Sequence, residues 1–131
     1  MSKYINIEAR KQYNREYSRE YMKKWRANNP DKQKARDKTY RQKLRADVMI
    51  ILGGKHCSDC GCDVDGILEI NHKDGGGRQE TKDKKYEAYL RSIRDHANPQ
   101  EKYNVLCRVC NAKHYVEEML GIKGFTIVWN K

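Results

Sequence analysis

Four cysteines stand in two Cys-x-x-C pairs, Cys57-Ser-Asp-Cys60 and Cys107-Arg-Val-Cys110. Between them runs Leu68-Glu69-Ile70-Asn71-His72, and Asn111 follows the last thiol directly. Each pair can span two corners of a tetrahedron with a tight turn, so together they offer one Zn²⁺ an all-thiolate structural site. Such a closed site does no chemistry. Its consequence is geometric, because it fixes the segment carrying His72 against whatever begins at Asn111. Two disulfides are the competing use of these thiols. The paired spacing and the absence of an apolar signal core in Met1-Ser-Lys-Tyr-Ile-Asn favour metal. Cys62 is an odd thiol that can compete with Cys60, and His56 beside Cys57 is a weaker competitor.

The elements that must hold these residues can be read from periodicity. Ile67 to His72 alternates as a strand, which puts Glu69 on the same face as Asn71. A turn follows at Lys73-Asp74-Gly75-Gly76-Gly77-Arg78. Its three glycines serve either a flexible turn or a backbone brought close to a phosphate, with Lys73 and Arg78 beside it. Tyr86, Tyr89, Leu90 and Ile93 predict a helical insertion over about 81–97, broken at Asn98-Pro99. Tyr103 to Leu106 reads as a second short strand, and a helix is expected from about Cys110 to Leu120, stopped by Gly121. Phe125 to Trp129 reads as a β-like tail. Asn104, just before the second cysteine pair, is placed to orient the imidazole by its side chain or its backbone carbonyl.

The net charge of +10 is unevenly placed. Residues 1–50 hold 15 Lys and Arg against 6 Asp and Glu, whereas the remainder is close to balanced. A basic extension of this kind reads as an electrostatic footprint for a phosphate backbone. A first helix is expected over about 7–27, with Tyr13, Tyr17, Tyr21 and Trp25 on one face and Arg15, Arg19, Lys23, Lys24 and Arg26 filling much of the rest. The aromatic stripe suits either stacking on bases or packing against the second helix or another copy of the chain. Asn28-Asn29-Pro30 ends this helix. A second starts at Asp31, turns apolar at Val48-Met49-Ile50-Ile51-Leu52 and stops at Gly53-Gly54, its apolar end docking on the cysteine-rich part. The expected division is therefore an extension over 1–52 and a zinc-stabilised α+β domain over 53–131. No stretch approaches the roughly 20 apolar residues of a membrane span.

A strand ending in Asn71-His72, an insertion, a short strand and a helix opening at the second cysteine pair together resemble the ββα-metal, or HNH, nuclease motif. The closer similarity is to the phage recombination endonuclease VII branch, and it covers roughly residues 55–120. The resemblance implies structural zinc at Cys57, Cys60, Cys107 and Cys110, with His72 as general base. It places Asn71 in the position of the acidic metal ligand, Asn111 in that of the helix Asn ligand, and His114 at a further polar active-site position. The family commonly has an acid where this chain has Asn71, and Glu69 is placed to supply that carboxylate. Mg²⁺ or Mn²⁺ is the catalytic ion implied, double-stranded or branched DNA the substrate, a homodimer the assembly, and the cytoplasm of a phage-infected or host cell the location.

The residue chemistry agrees with that expectation. Phosphodiester hydrolysis needs an activated water, a cation against the charge building on phosphate, and stabilisation of the leaving oxygen. A neutral imidazole accepts the water's proton near pH 7, and amide oxygens suit a hard cation. The competing class is a non-catalytic zinc-ribbon DNA-binding or regulatory protein, in which His72 and Asn111 contact phosphate or cap structure.

Overall fold

The computed structural model describes residues 6–130, so the first five residues of the expected extension and Lys131 lie outside the described chain. Two compact units are present, the first ending at Tyr40 and the second beginning at Arg41. The boundary therefore falls earlier than 52/53. The reason is packing: Leu44, Val48, Met49 and Leu52 belong to the core of the second unit.

The first unit is built from α1 (Ile7–Asn28) and the leading part of α2 (Pro30–Ile51). The Asn6 side chain caps α1 by accepting from the Glu8 and Ala9 backbone N–H groups at 3.1 and 3.2 Å. No residue of α1 is buried, and pairs such as Lys11–Glu8 and Gln12–Glu16, each at 3.0 Å, support it locally. Asn29 leaves the helical region and its amide donates to the Trp25 carbonyl at 2.9 Å. Pro30 then opens α2, at the position where a missing N–H costs nothing. Tyr13, Tyr17 and Tyr21 remain 65%, 62% and 56% exposed, with Tyr13 and Tyr17 stacked on each other. The stripe thus does not pack on the second helix, except that the Arg36 guanidinium lies over the Trp25 ring.

In the second unit a 3₁₀ turn at Asp65–Ile67 leads into β1 (Leu68–His72). Then come α3 (Gly77–Lys82), α4 (Tyr86–Arg94), α5 (Pro99–Lys102), β2 (Tyr103–Cys107) and α6 (Arg108–Leu120). The sheet has two antiparallel strands, with Asn71 opposite Asn104 and His72 opposite Tyr103. The core joins the end of α2, Tyr89, Leu90 and Ile93 of α4, Leu68, Val105 and Leu106 of the sheet, and the buried cysteines. This is the α+β arrangement expected.

Three local expectations are corrected. The insertion is two helices, because Asp83-Lys84-Lys85 has no apolar residue to bury and Lys85 is extended. Gly77 and Arg78 lie in α3 and not in the preceding turn. Phe125 to Trp129 forms no strand; Ile127 packs on the core, and the segment makes no ladder with the two-stranded sheet. Among the described residues no helix is long and apolar enough to cross a membrane.

Candidate metal centre and active site

The first cysteine pair forms a turn closed by Gly61 N–H to the Cys57 carbonyl at 3.0 Å and Cys57 N–H to the Cys62 carbonyl at 2.8 Å. Ser58 N–H donates to the Val105 carbonyl at 2.8 Å, which ties that turn to β2. The second pair spans the start of α6, where Cys107 Sγ accepts from the Cys110 N–H at 3.4 Å and so caps the helix. All four sulfurs lie within 4.8 Å of one another, and Cys60 Sγ and Cys107 Sγ are 3.8 Å apart. A tetrahedral ion at about 2.3 Å from each sulfur requires edges of about 3.8 Å, so the donor set fits zinc. Cys62 is buried outside the group, its carbonyl accepting from the Cys57 N–H, and His56 is exposed.

Electrostatics point the same way. Burial pushes the Cys57 thiol up, yet the N–H groups at Cys60, Cys107 and Asp59 outweigh that and bring it down to about 7. Burial and the neighbouring thiols push Cys110 up, and burial raises Cys60. Four thiolates cannot share this space without a cation to balance them.

Successive strand residues point to opposite faces, so β1 divides its functional side chains. Glu69 and Asn71 project on one face. Glu69 accepts from Asn111 Nδ2 and Arg108 Nε of α6, each at 2.9 Å. Asn71 is buried and donates from Nδ2 to Asn104 Oδ1 at 2.9 Å. Asn71 and Asn111 each use the amide nitrogen, which leaves Oδ1 as the atom offered to a cation. His114, one turn beyond Asn111, is half-buried on α6.

His72 projects on the other face and is 8% exposed. It stacks on Tyr89 with ring centres 5.8 Å apart and meets Tyr103 edge-on at 4.9 Å. Its Nε2 lies 2.8 Å from Glu80 Oε2. The side chain of Asn104 is taken by Asn71, so the partner expected there for the imidazole is instead Glu80 of α3. Sequence reasoning passed over Glu80 because its link to His72 depends on where a short helix sets down. Burial pushes the Glu80 carboxyl up, but Tyr103, Lys102 and His72 more than offset this and hold it at about 2.

A cavity of about 1090 Å³ is lined by Glu69, Asn71, His72, Asn111 and His114. Arg45, Lys73 and Arg78 also line it, and Tyr86, Tyr115 and Met119 add apolar wall. Arg45 was not singled out by sequence; its guanidinium bonds the Leu68 carbonyl at 2.6 Å and pairs with Asp65. Arg15, Arg19, Lys23, Lys24 and Arg26 are exposed on α1 in the first unit. Comparisons with protein-family models, curated proteins and solved structures return no match.

Proposed function

We propose that the chain is a metal-dependent endonuclease hydrolysing phosphodiester bonds in double-stranded or branched DNA. The observation that carries this reading is the meeting of β1 and α6 beside the four thiols, which gives one cavity His72, three oxygen donors and three cationic side chains. Glu69, Asn71 and Asn111 are the residues to hold Mg²⁺ or Mn²⁺. When bound, that ion neutralises charge on the phosphate and the leaving oxygen. Arg45, Lys73 and Arg78 attract the phosphate backbone, and His72 takes the proton of the attacking water. The water's oxygen bonds to phosphorus, and the P–O bond to the leaving sugar oxygen breaks with its electron pair on that oxygen. Solvent protonates the leaving oxygen, and His72 returns its proton to water.

A second reading, a non-catalytic zinc-ribbon protein that binds DNA, draws on one observation: both Glu69 oxygens are already engaged, by Arg108 and Asn111. One assay separates the two. Under the nuclease reading, linear or branched DNA is cut in a Mg²⁺- or Mn²⁺-dependent reaction that His72→Ala abolishes while DNA affinity and zinc content persist. Equal activity in His72→Ala and the parent, or DNA binding with no cleavage by the parent, rejects it.

A further inference from the structure

We infer that Glu80 is a positioning residue that holds the proton of neutral His72 on Nε2, making Nδ1 the atom that accepts a proton. This inference rests on the nuclease reading for its chemical consequence but not for its geometry. The carboxylate is fully engaged: Oε2 meets His72 Nε2 at 2.8 Å and Lys102 Nζ at 3.1 Å, and Oε1 accepts from the Tyr103 hydroxyl at 2.6 Å. Lys84 Nζ stands 3.8 Å from Oε1. The Tyr103 hydroxyl and the Lys102 ammonium keep the carboxylate ionised, and an ionised carboxylate only accepts. The hydrogen between Glu80 and His72 therefore belongs to Nε2. Tyr89 and Tyr103 pack against the ring and stop it from rotating to exchange its two nitrogens.

Gly77 packs against the face of the same ring. A Cβ built on Gly77 would lie 2.4 Å from His72 Nδ1, closer than any side-chain carbon can sit. Gly77 is helical and its backbone conformation does not demand glycine, unlike Gly75 and Gly76, whose φ angles are +75° and +82°. The three glycines thus have two physical causes: two serve the turn, and the third lets the start of α3 pack directly on the imidazole ring. Gly77 and Glu80 are three residues apart on α3, so one short helix both packs on the ring and bonds its Nε2. Lys102 at the end of α5 and Tyr103 at the start of β2, which hold Glu80, complete the positioning.

The test is ¹⁵N NMR on the zinc-loaded full chain, at a pH where the imidazole is neutral, with His72→Gln used to assign the ring signals. The parent is expected to show a protonated Nε2 and an unprotonated Nδ1. An Nδ1–H tautomer, or an averaged mixture, overturns the inference whatever the cleavage assay gives. Glu80→Ala is expected to lose the single tautomer and lower kcat about 10- to 100-fold, with KM and zinc content unchanged. Glu80→Gln, whose amide oxygen Lys102 draws toward Nε2, is expected to restore both. Gly77→Ala, whose methyl would meet the ring face, is expected to displace the imidazole from Glu80 and lose the single tautomer; a parent-like spectrum in this variant overturns the positioning role of α3. A parent that cleaves no DNA rejects the nuclease reading, and the tautomer spectrum still decides the role of Glu80.

Discussion

At the scale of single residues, hydrogen-bond capacity decides what each polar group can do. Asn71 donates to Asn104, and an aspartate there would lose that donor and set two oxygens face to face. Asn104 can answer by turning its amide so that Nδ2 donates, since an asparagine presents both roles at nearly the same positions. Asn71→Asp is therefore expected to fold with a cost of about 1 kcal/mol or less, while adding a negative charge at the cavity. Metal titrations of cleavage should show a lower Mg²⁺ midpoint for Asn71→Asp; a higher midpoint excludes residue 71 as a ligand. Glu80 gives a pH signature. Its carboxyl is held at about 2 in the folded chain against an ordinary value of 4.5, so its contribution is complete above that ordinary value. Stability is lost as pH falls from about 4.5 toward 2, by on the order of 2–3 kcal/mol. The thiolates also release zinc as they protonate in this window. The Glu80 share is therefore read as the stability difference between parent and Glu80→Gln in urea melts, which should narrow as pH falls.

At the scale of elements, the sheet is too small to stand alone. Two five-residue strands are marginal in water, and the thiol cluster joins β2, the turn before β1 and the first turn of α6. Chelation of zinc, or Cys107→Ser, is expected to unfold the second unit, with circular dichroism and elemental analysis falling together. A folded, reduced sample containing no zinc counts against the metal centre. The same elements explain what was legible beforehand. Strand alternation, the Cys-x-x-C turns, the helix stop at Asn29-Pro30 and the left-handed Gly121 are local signals, and each located its element to within about two residues. Glu69 beside Asn111 was half-legible, since the strand period gave the face but not the bond. The Glu80–His72 pair was not, because eight residues of turn and helix geometry separate them. The expected Phe125–Trp129 strand failed for a related reason: its residue types suit a sheet, but strand formation needs a neighbour's hydrogen bonds, and no sequence pattern names that neighbour.

At the scale of the whole molecule, charge and core are divided between the two units. No residue of α1 is fully buried, so its 22 residues and their basic side chains contribute little to stability. A helix that leaves its aromatic face exposed is retained for what it meets or for local pairs alone. α2 serves both units. Leu44 and Val48 are buried in the second core, and Arg45 bonds the chain entering β1. This packing sets where the extension can be removed. Deletion through Tyr40 should leave a folded, zinc-binding domain, whereas deletion through Leu52 should remove part of the core and unfold it. The shorter deletion also takes away most of the basic excess, including Arg15, Arg19, Lys23, Lys24 and Arg26. DNA affinity should then fall, and the slope of log K against log salt should flatten by about 0.9 for each phosphate that is no longer neutralised. Fluorescence anisotropy across a salt series measures both quantities on the same labelled duplex. An unchanged slope would assign α1 to assembly, and the stacked, exposed Tyr13 and Tyr17 would then be the first residues to mutate in a sedimentation experiment.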